Sequence, residues 1–251
     1  MTSLLIQLSD GLPELLRDAI ATVVAFCGAL SWLALVNHSA AQGWLHPTLS
    51  RKVIHIGTGP LFVASWLLYS SADHARYLAA LVPLILTARF LFTGLGWLEN
   101  PDLVKSSTRN GVPDELLRGP LYYGIGFIVC TLLFWRTSPT GILALMMMCG
   151  GDGLADIIGR RFGTRKLPFS PEKSWAGSLA MLVGSMSFGF AYLFVFNQLG
   201  LIEFSFPLSI VLVRVGAIAL VATLIEALPV PDIDNVTLTV SVVALSQWLL
   251  R

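Results

Sequence analysis

GGDGLADIIGRRFGTRKLPFSPEKSWAG, residues 150–177, lies between two long apolar runs and decides how the rest of the chain is read. Asp152 and Asp156 are spaced i, i+4, so a helix through them puts both carboxylates on one face, one turn apart. Arg160, Arg161, Arg165, Lys166 and Lys173 follow, and six glycines are interspersed, Gly151 and Gly153 flanking the first acid. An acid well inside an apolar segment is costly unless it faces a cavity or a partner, which makes Asp152 a candidate functional residue. Paired carboxylates supply the hard oxygens a Mg²⁺ ion requires, cations beyond them meet phosphate charge, and glycines let backbone approach it. The stretch reads as a metal–nucleotide site. Its arginines and Lys166 equally satisfy the positive-inside rule, and the residues alone leave both uses open.

The apolar flanks set the class. Of 251 residues, 55% are hydrophobic and only 12% charged, with a mean hydropathy of +0.75. A water-soluble chain of this size carries about twice that share of charge. The expected fold is all-α: a polytopic transmembrane bundle of about eight spans, forming a single integral membrane domain over 1–251. Expected spans are Leu15–Val36, a second from Arg51 to near Tyr69, Ala75–Phe92, Pro120–Trp135, Thr140–Gly159, Trp175–Phe196, Leu208–Leu228 and a closing segment to Arg251. The first thirteen residues show neither a basic leader nor a cleavage pattern, so no signal or transit peptide is expected. Net charge of +1 gives no case for nucleic acid. Cys27, Cys130 and Cys149 sit in apolar runs without ligand spacing and read as small buried hydrophobes.

Charge also orients the bundle. Ten of the sixteen Lys and Arg fall in three alternate connections, 37–53, 94–119 and 160–174. That bias predicts motif loops on the cytoplasmic side and the N-terminus opposite. Trp32, Trp66, Trp97, Trp135, Trp175 and Trp248 fall near expected span ends, where interfacial anchors belong. Arg214 falls toward the other face and reads as a snorkelling side chain.

Three further clusters share the cation-rich side. Arg51, Lys52 and His55 form a basic start to the second span, suited to phosphate or to topology alone. Arg118-Gly119-Pro120 is a helix start with Pro in its first turn. PVPDIDN, residues 229–235, gathers Asp232, Asp234 and Asn235, more than one helix cap needs. Glu226 either supplements these acids or snorkels outward.

Together RKVIHIGTGP, RGPLYYGIGF, the central stretch and IEALPVPDIDN resemble the CTP-dependent polyprenol kinases, closest to the phytol and farnesol kinase branch. Dolichol kinases and phosphatidate cytidylyltransferases are more distant relatives. The resemblance spans roughly residues 50–240 and implies transfer of the γ-phosphoryl group of CTP to a membrane isoprenoid alcohol, with Mg²⁺. It implies metal or catalytic roles for Asp152, Asp156, Asp232 and Asp234 and a catalytic role for Lys173. Nucleotide binding would fall to Arg51, Lys52, His55, Arg118, Gly151, Gly153, Arg160, Arg161, Lys166 and Ser174. The partners implied are the alcohol from the bilayer and the nucleotide from water, with a homodimer left open. PVPDIDN stands where the cytidylyltransferases carry a histidine–glycine and Asp-Arg ending, which favours the kinase. The alternatives are a lipid cytidylyltransferase, using the same cradle, and an ion- or proton-coupled transporter. Against the transporter, the acids cluster at one face.

Overall fold

The computed structural model describes residues 13–229 and 233–250. Helices account for nearly all of it: α1 (Glu14–Ala41), α2 (Pro47–Ser65), α3 (Ala75–Gly94), a short α4 (Pro101–Ser107), α5 (Gly119–Leu133), α6 (Pro139–Met146), α7 (Asp152–Phe162), α8 (Trp175–Gln198), α9 (Leu208–Glu226) and α10 (Asp234–Leu249). A π-helical turn, Met147–Gly151, joins α6 to α7, so the two continue as one rod. Between α7 and α8 the expected loop contains a two-stranded antiparallel hairpin, β1 (Lys166–Leu167) and β2 (Ser170–Ser174). Two residues of β1 are too few to show an alternating pattern.

Local chemistry explains the helix starts. Three begin with a capping side chain followed by proline. His46 accepts from Thr48 N before Pro47, Asn100 from Leu103 N before Pro101, and Ser138 from Thr140 N before Pro139. Proline suits the first helical position because its missing N–H would have had no partner there. Gly43 and Gly96, at φ of 76° and 74°, provide the left-handed residues that turn the chain after α1 and α3.

Among the described residues, six helical segments are long and apolar enough to cross a bilayer: 14–41, 75–94, 113–133, 139–162, 175–198 and 208–226. The rods α2 and α10, which the sequence reading also counted as spans, fall outside that set. The α6–α7 rod is the centre of the bundle, with 72% of its apolar window buried against 17–33% in the others. Every residue from Thr140 to Gly151 is buried.

Glycine lets neighbours reach this rod. A Cβ on Gly150 would overlap Phe188, one on Gly151 would overlap Ser185 and Met181, and one on Gly153 would lie 2.1 Å from Ile56 Cγ1. These glycines therefore bring α2 and α8 against the acid-bearing segment.

Three expectations are corrected. Trp66 is not an interfacial anchor but a core residue, wholly buried and 4.9 Å from the Trp135 ring. Cys27 is exposed, whereas Cys130 and Cys149 are buried as expected. Arg214 does not simply snorkel: it donates to the Leu249 carbonyl and stacks 4.0 Å over Phe206.

Candidate active site

The π-helical turn sets the site. Wider turns of this kind break the regular hydrogen-bond ladder and are frequent at functional sites. Here the turn ends at Gly151, and Asp152 opens α7 immediately after it. Lys52 Nζ, from the second turn of α2, lies 3.3 Å from Asp152 Oδ2 and 3.9 Å from Asp156 Oδ2. The predicted one-face placement of the two acids is therefore realised, with a single ammonium bridging them. Arg160, a further turn along, donates through Nε to Asp156 Oδ1 at 2.9 Å.

His55 is fixed from three sides. Its Nε2 lies 3.0 Å from the Met148 carbonyl and 3.2 Å from Asp152 Oδ2. Its ring packs on Tyr123 with centroids 4.5 Å apart. The Tyr123 hydroxyl donates to the His55 carbonyl at 2.9 Å and lies 3.1 Å from Cys149 Sγ. This network joins α2, α5 and the π-turn directly beneath the acids.

The hairpin delivers the next cation. Lys173, on β2, pairs with Glu226 at the end of α9. Burial pulls the Lys173 pKa down, but Glu226, with Asp152 and Asp234 adding to it, holds the pKa above the ordinary lysine value. Ser174 then caps α8, accepting from Gly177 N at 3.2 Å. A Cβ on Gly163 would lie 2.3 Å from Ser174 Oγ, so glycine there lets the end of α7 close on the hairpin.

The charged side chains of this network, with His55 and Tyr123, line one cavity of about 1080 Å³. It gathers Arg51, Lys52, His55, Arg118, Asp152, Asp156, Arg160, Lys166, Lys173, Ser174 and Asp234 from the sequence-predicted set. Gly151 and Gly153 lie outside the lining and serve helix contact. Arg161 also lies outside it, with its guanidinium over Phe162. Asp232 falls outside the described residues. The wall includes groups the sequence reading did not select: Arg109, Asn110, Glu115, Tyr123, Glu172 and Glu226. Glu226 had been noted, and its position just before Leu228–Pro229 was the available signal. A second cavity, about 1090 Å³, adjoins the first across Arg51, Arg109 and Arg160 and is walled by the 93–113 connection.

The donor set fits a divalent ion. Mg²⁺ usually takes one or two protein carboxylates and completes its shell with water and phosphate oxygens. Asp152 and Asp156 already converge on one positive centre, the Lys52 ammonium. Among the described residues no group of three or more His, Cys, Asp or Glu forms a ready metal cage. The arrangement suits a cation that arrives with its phosphates.

Residues 14–228 match the cytidylyltransferase family. The chain belongs to that family. Within it, the chain is similar to proteins named phytol kinases. It is 40% identical over 232 residues to "Phytol kinase 1, chloroplastic" of Arabidopsis thaliana, covering 92% of this chain and 76% of that protein. It is 43% identical over 240 residues to "Probable phytol kinase 1, chloroplastic" of Oryza sativa subsp. japonica, covering 95% and 76%. It is 45% identical over 225 residues to "Probable phytol kinase, chloroplastic" of Triticum aestivum, covering 89% and 74%. No solved structure matches the chain.

Proposed function

We propose that the protein is a prenol kinase that moves the γ-phosphoryl group of CTP to the hydroxyl of a membrane isoprenoid alcohol. One observation carries this reading beyond the family relationship. A single cavity collects the bridged carboxylates Asp152 and Asp156 and the cations Arg51, Lys52, Arg160, Lys166 and Lys173. Phosphoryl transfer asks mainly for in-line placement and neutralisation of phosphate charge, and the cations of this cavity support the second.

When Mg²⁺ is bound it would be held by Asp152 and Asp156, and it would neutralise charge on the phosphate oxygens. Lys52, which lies against both carboxylates, would meet the phosphates together with Lys173 and Arg160. The alcohol oxygen attacks the γ-phosphorus while the bond to the β–γ bridging oxygen breaks, so CDP leaves. We assign the hydroxyl proton to Asp234, which lines the same cavity at the start of α10. The charge bias of the connections supports placing this end of the bundle on the cytoplasmic side or its equivalent.

The experiment supplies CTP labelled at either the γ or the α phosphorus together with phytol, farnesol or geranylgeraniol, and then extracts the lipid. Label enters the lipid from the γ position alone. Entry of α label, with phosphatidate required, would replace the kinase by a cytidylyltransferase acting at the same site.

A further inference from the structure

The catalytic groups occupy only one end of the cavity. Its other arm runs between α1, α2, α3 and α5 and is walled by Gly28, Leu61, Phe62, Val82, Leu86 and Phe127. The register of α1 on α2 gives the arm a direction. Trp32 Nε1 lies 3.4 Å from the Ile54 carbonyl, level with His55 and therefore with Asp152. At the far end Tyr69 donates to Thr22 Oγ1 at 3.2 Å, pinning α1 to the chain just past Leu68. Gly28 lies one helical turn beyond Trp32, on the way from the acids to that pin.

We propose that this apolar arm holds the isoprenoid tail of the alcohol, and that Gly28 is the position where a branched chain needs the bore kept clear. The inference rests on the prenol kinase reading for its ligand, but the shape of the arm is independent of it. From His55 on α2 to Leu68, at the end of the 3-10 turn that follows it, the lining extends about 20 Å, at about 1.5–2 Å rise per residue. An extended four-isoprene alcohol spans about 19 Å, given carbon–carbon bonds of about 1.5 Å foreshortened by their zigzag. The arm thus ends where such a tail ends.

Two further observations fit this occupant. A Cβ at Gly28 would meet no atom within 4 Å, so the residue faces open space in the cavity wall. Val24 and Leu61 line the same arm and are 51% and 49% exposed, so the arm opens sideways through an apolar mouth. A tail entering there from the bilayer would exchange one apolar surrounding for another, while its hydroxyl reached the charged end.

Gly28→Trp tests the assignment, because the open space lets the variant fold while the indole fills the arm. Two readouts are needed. The first is photolabelling of purified protein with a diazirine-bearing farnesol analogue, mapped by peptide. The second is turnover of phytol and of a one-isoprene alcohol, which at about 5 Å stops short of Gly28, with the KM for CTP. In the unmodified protein, label should fall in residues 24–33 and 61–68. In Gly28→Trp that labelling and phytol turnover should drop at least tenfold, turnover of the one-isoprene alcohol far less, and the KM for CTP less than twofold. Label elsewhere, or phytol turnover in Gly28→Trp equal to that of the unmodified protein, overturns the tail site. If the unmodified protein takes label in the arm yet phosphorylates no prenol, the kinase reading falls and the tail site stands.

Discussion

Asp18 and Asp152 sit on apolar helices at opposite ends of α2. Asp152 meets the first turns of α2 at Lys52 and His55, and Asp18 meets the chain just past its last turn, at Ser70. The Asp18 side chain is fully enclosed. Its Oδ1 accepts from Ser70 N at 2.6 Å, its Oδ2 accepts from Ser70 Oγ at 2.8 Å, and His74 Nε2 lies 3.2 Å away. Arg136 completes that end by donating to the carbonyls of Trp66 and Tyr69 at 3.1 and 2.6 Å. The Asp152 side chain keeps 14% of its surface exposed, and its partners, Lys52 and His55, stand at the wall of a cavity. An enclosed acid whose lone pairs are filled by fixed donors fastens helices together. One paired with an ammonium at the edge of open volume can exchange that partner for another cation.

The contrast breaks most sharply at Asp152. Asp152→Asn should lower phosphoryl transfer roughly a hundredfold to a thousandfold, as loss of one transition-state charge contact does. Its thermal midpoint in detergent should stay close to that of the unmodified protein. Turnover within threefold of normal would remove Asp152 from the chemistry.

Asp18→Ala should do the reverse. It strands the Ser70 donors and takes away the carboxylate oxygen that faces His74 Nε2, a loss of about 2–4 kcal/mol for a buried, hydrogen-bonded carboxylate. The denaturation midpoint should fall clearly while kcat per folded molecule is kept. A large kcat loss at unchanged stability would erase the distinction between the two ends.

Lys173 gives a subtler test through pH. Its folded pKa is raised, so its charged form contributes below the unfolded value and is lost only as pH rises through the folded one. Glu226→Gln removes the main raising partner and leaves the lowering effect of burial. The alkaline limb of kcat/KM should then move to lower pH. An unmoved limb would mean that Lys173 does not govern it.

The smallest effect concerns sidedness. Single cysteines at Ser107, Thr164 and Ile233, in a background without the native three, should react alike with an impermeant thiol reagent. Each lies in a cation-rich or acidic connection assigned to the Asp152 end. Unequal labelling would divide that end between two compartments.

How much of this was legible depended on sequence distance. Asp152 and Asp156 were readable because their relation is internal to one helix. Lys52 and His55 could be nominated as a basic helix start, but their approach to Asp152 spans 100 and 97 residues and follows from helix packing. Glu226 was ambiguous, since an acid at the end of an apolar run is also what a snorkelling side chain looks like. RGPLYYGIGF offered two adjacent tyrosines, and only the packing of α5 on α2 selects Tyr123. Asp18 obeyed the same rule that singled out Asp152, namely that acids in apolar helices need a reason. Its reason lay in Ser70 and His74, more than fifty residues away. The hairpin and the π-turn left no periodic signal, being shorter than the windows in which periodicity can be read.

The π-turn also makes the central rod sensitive to counting. Each residue advances an α-helix by about 100°. A π-turn, with bonds running i→i+5, advances only about 80° per residue and so absorbs one extra residue in nearly the rotation of four. Tightening Met147–Gly151 to an ordinary helix with all five residues kept would rotate everything after it by roughly a quarter turn relative to α6. Asp152, Asp156 and Arg160 would swing away from Lys52 together, as a block, while α6 kept its place in the core. The width of this one turn therefore connects or disconnects the acids without any change in their identity or spacing. The active face is keyed to the bundle like a bit on a key's shaft, by its angle.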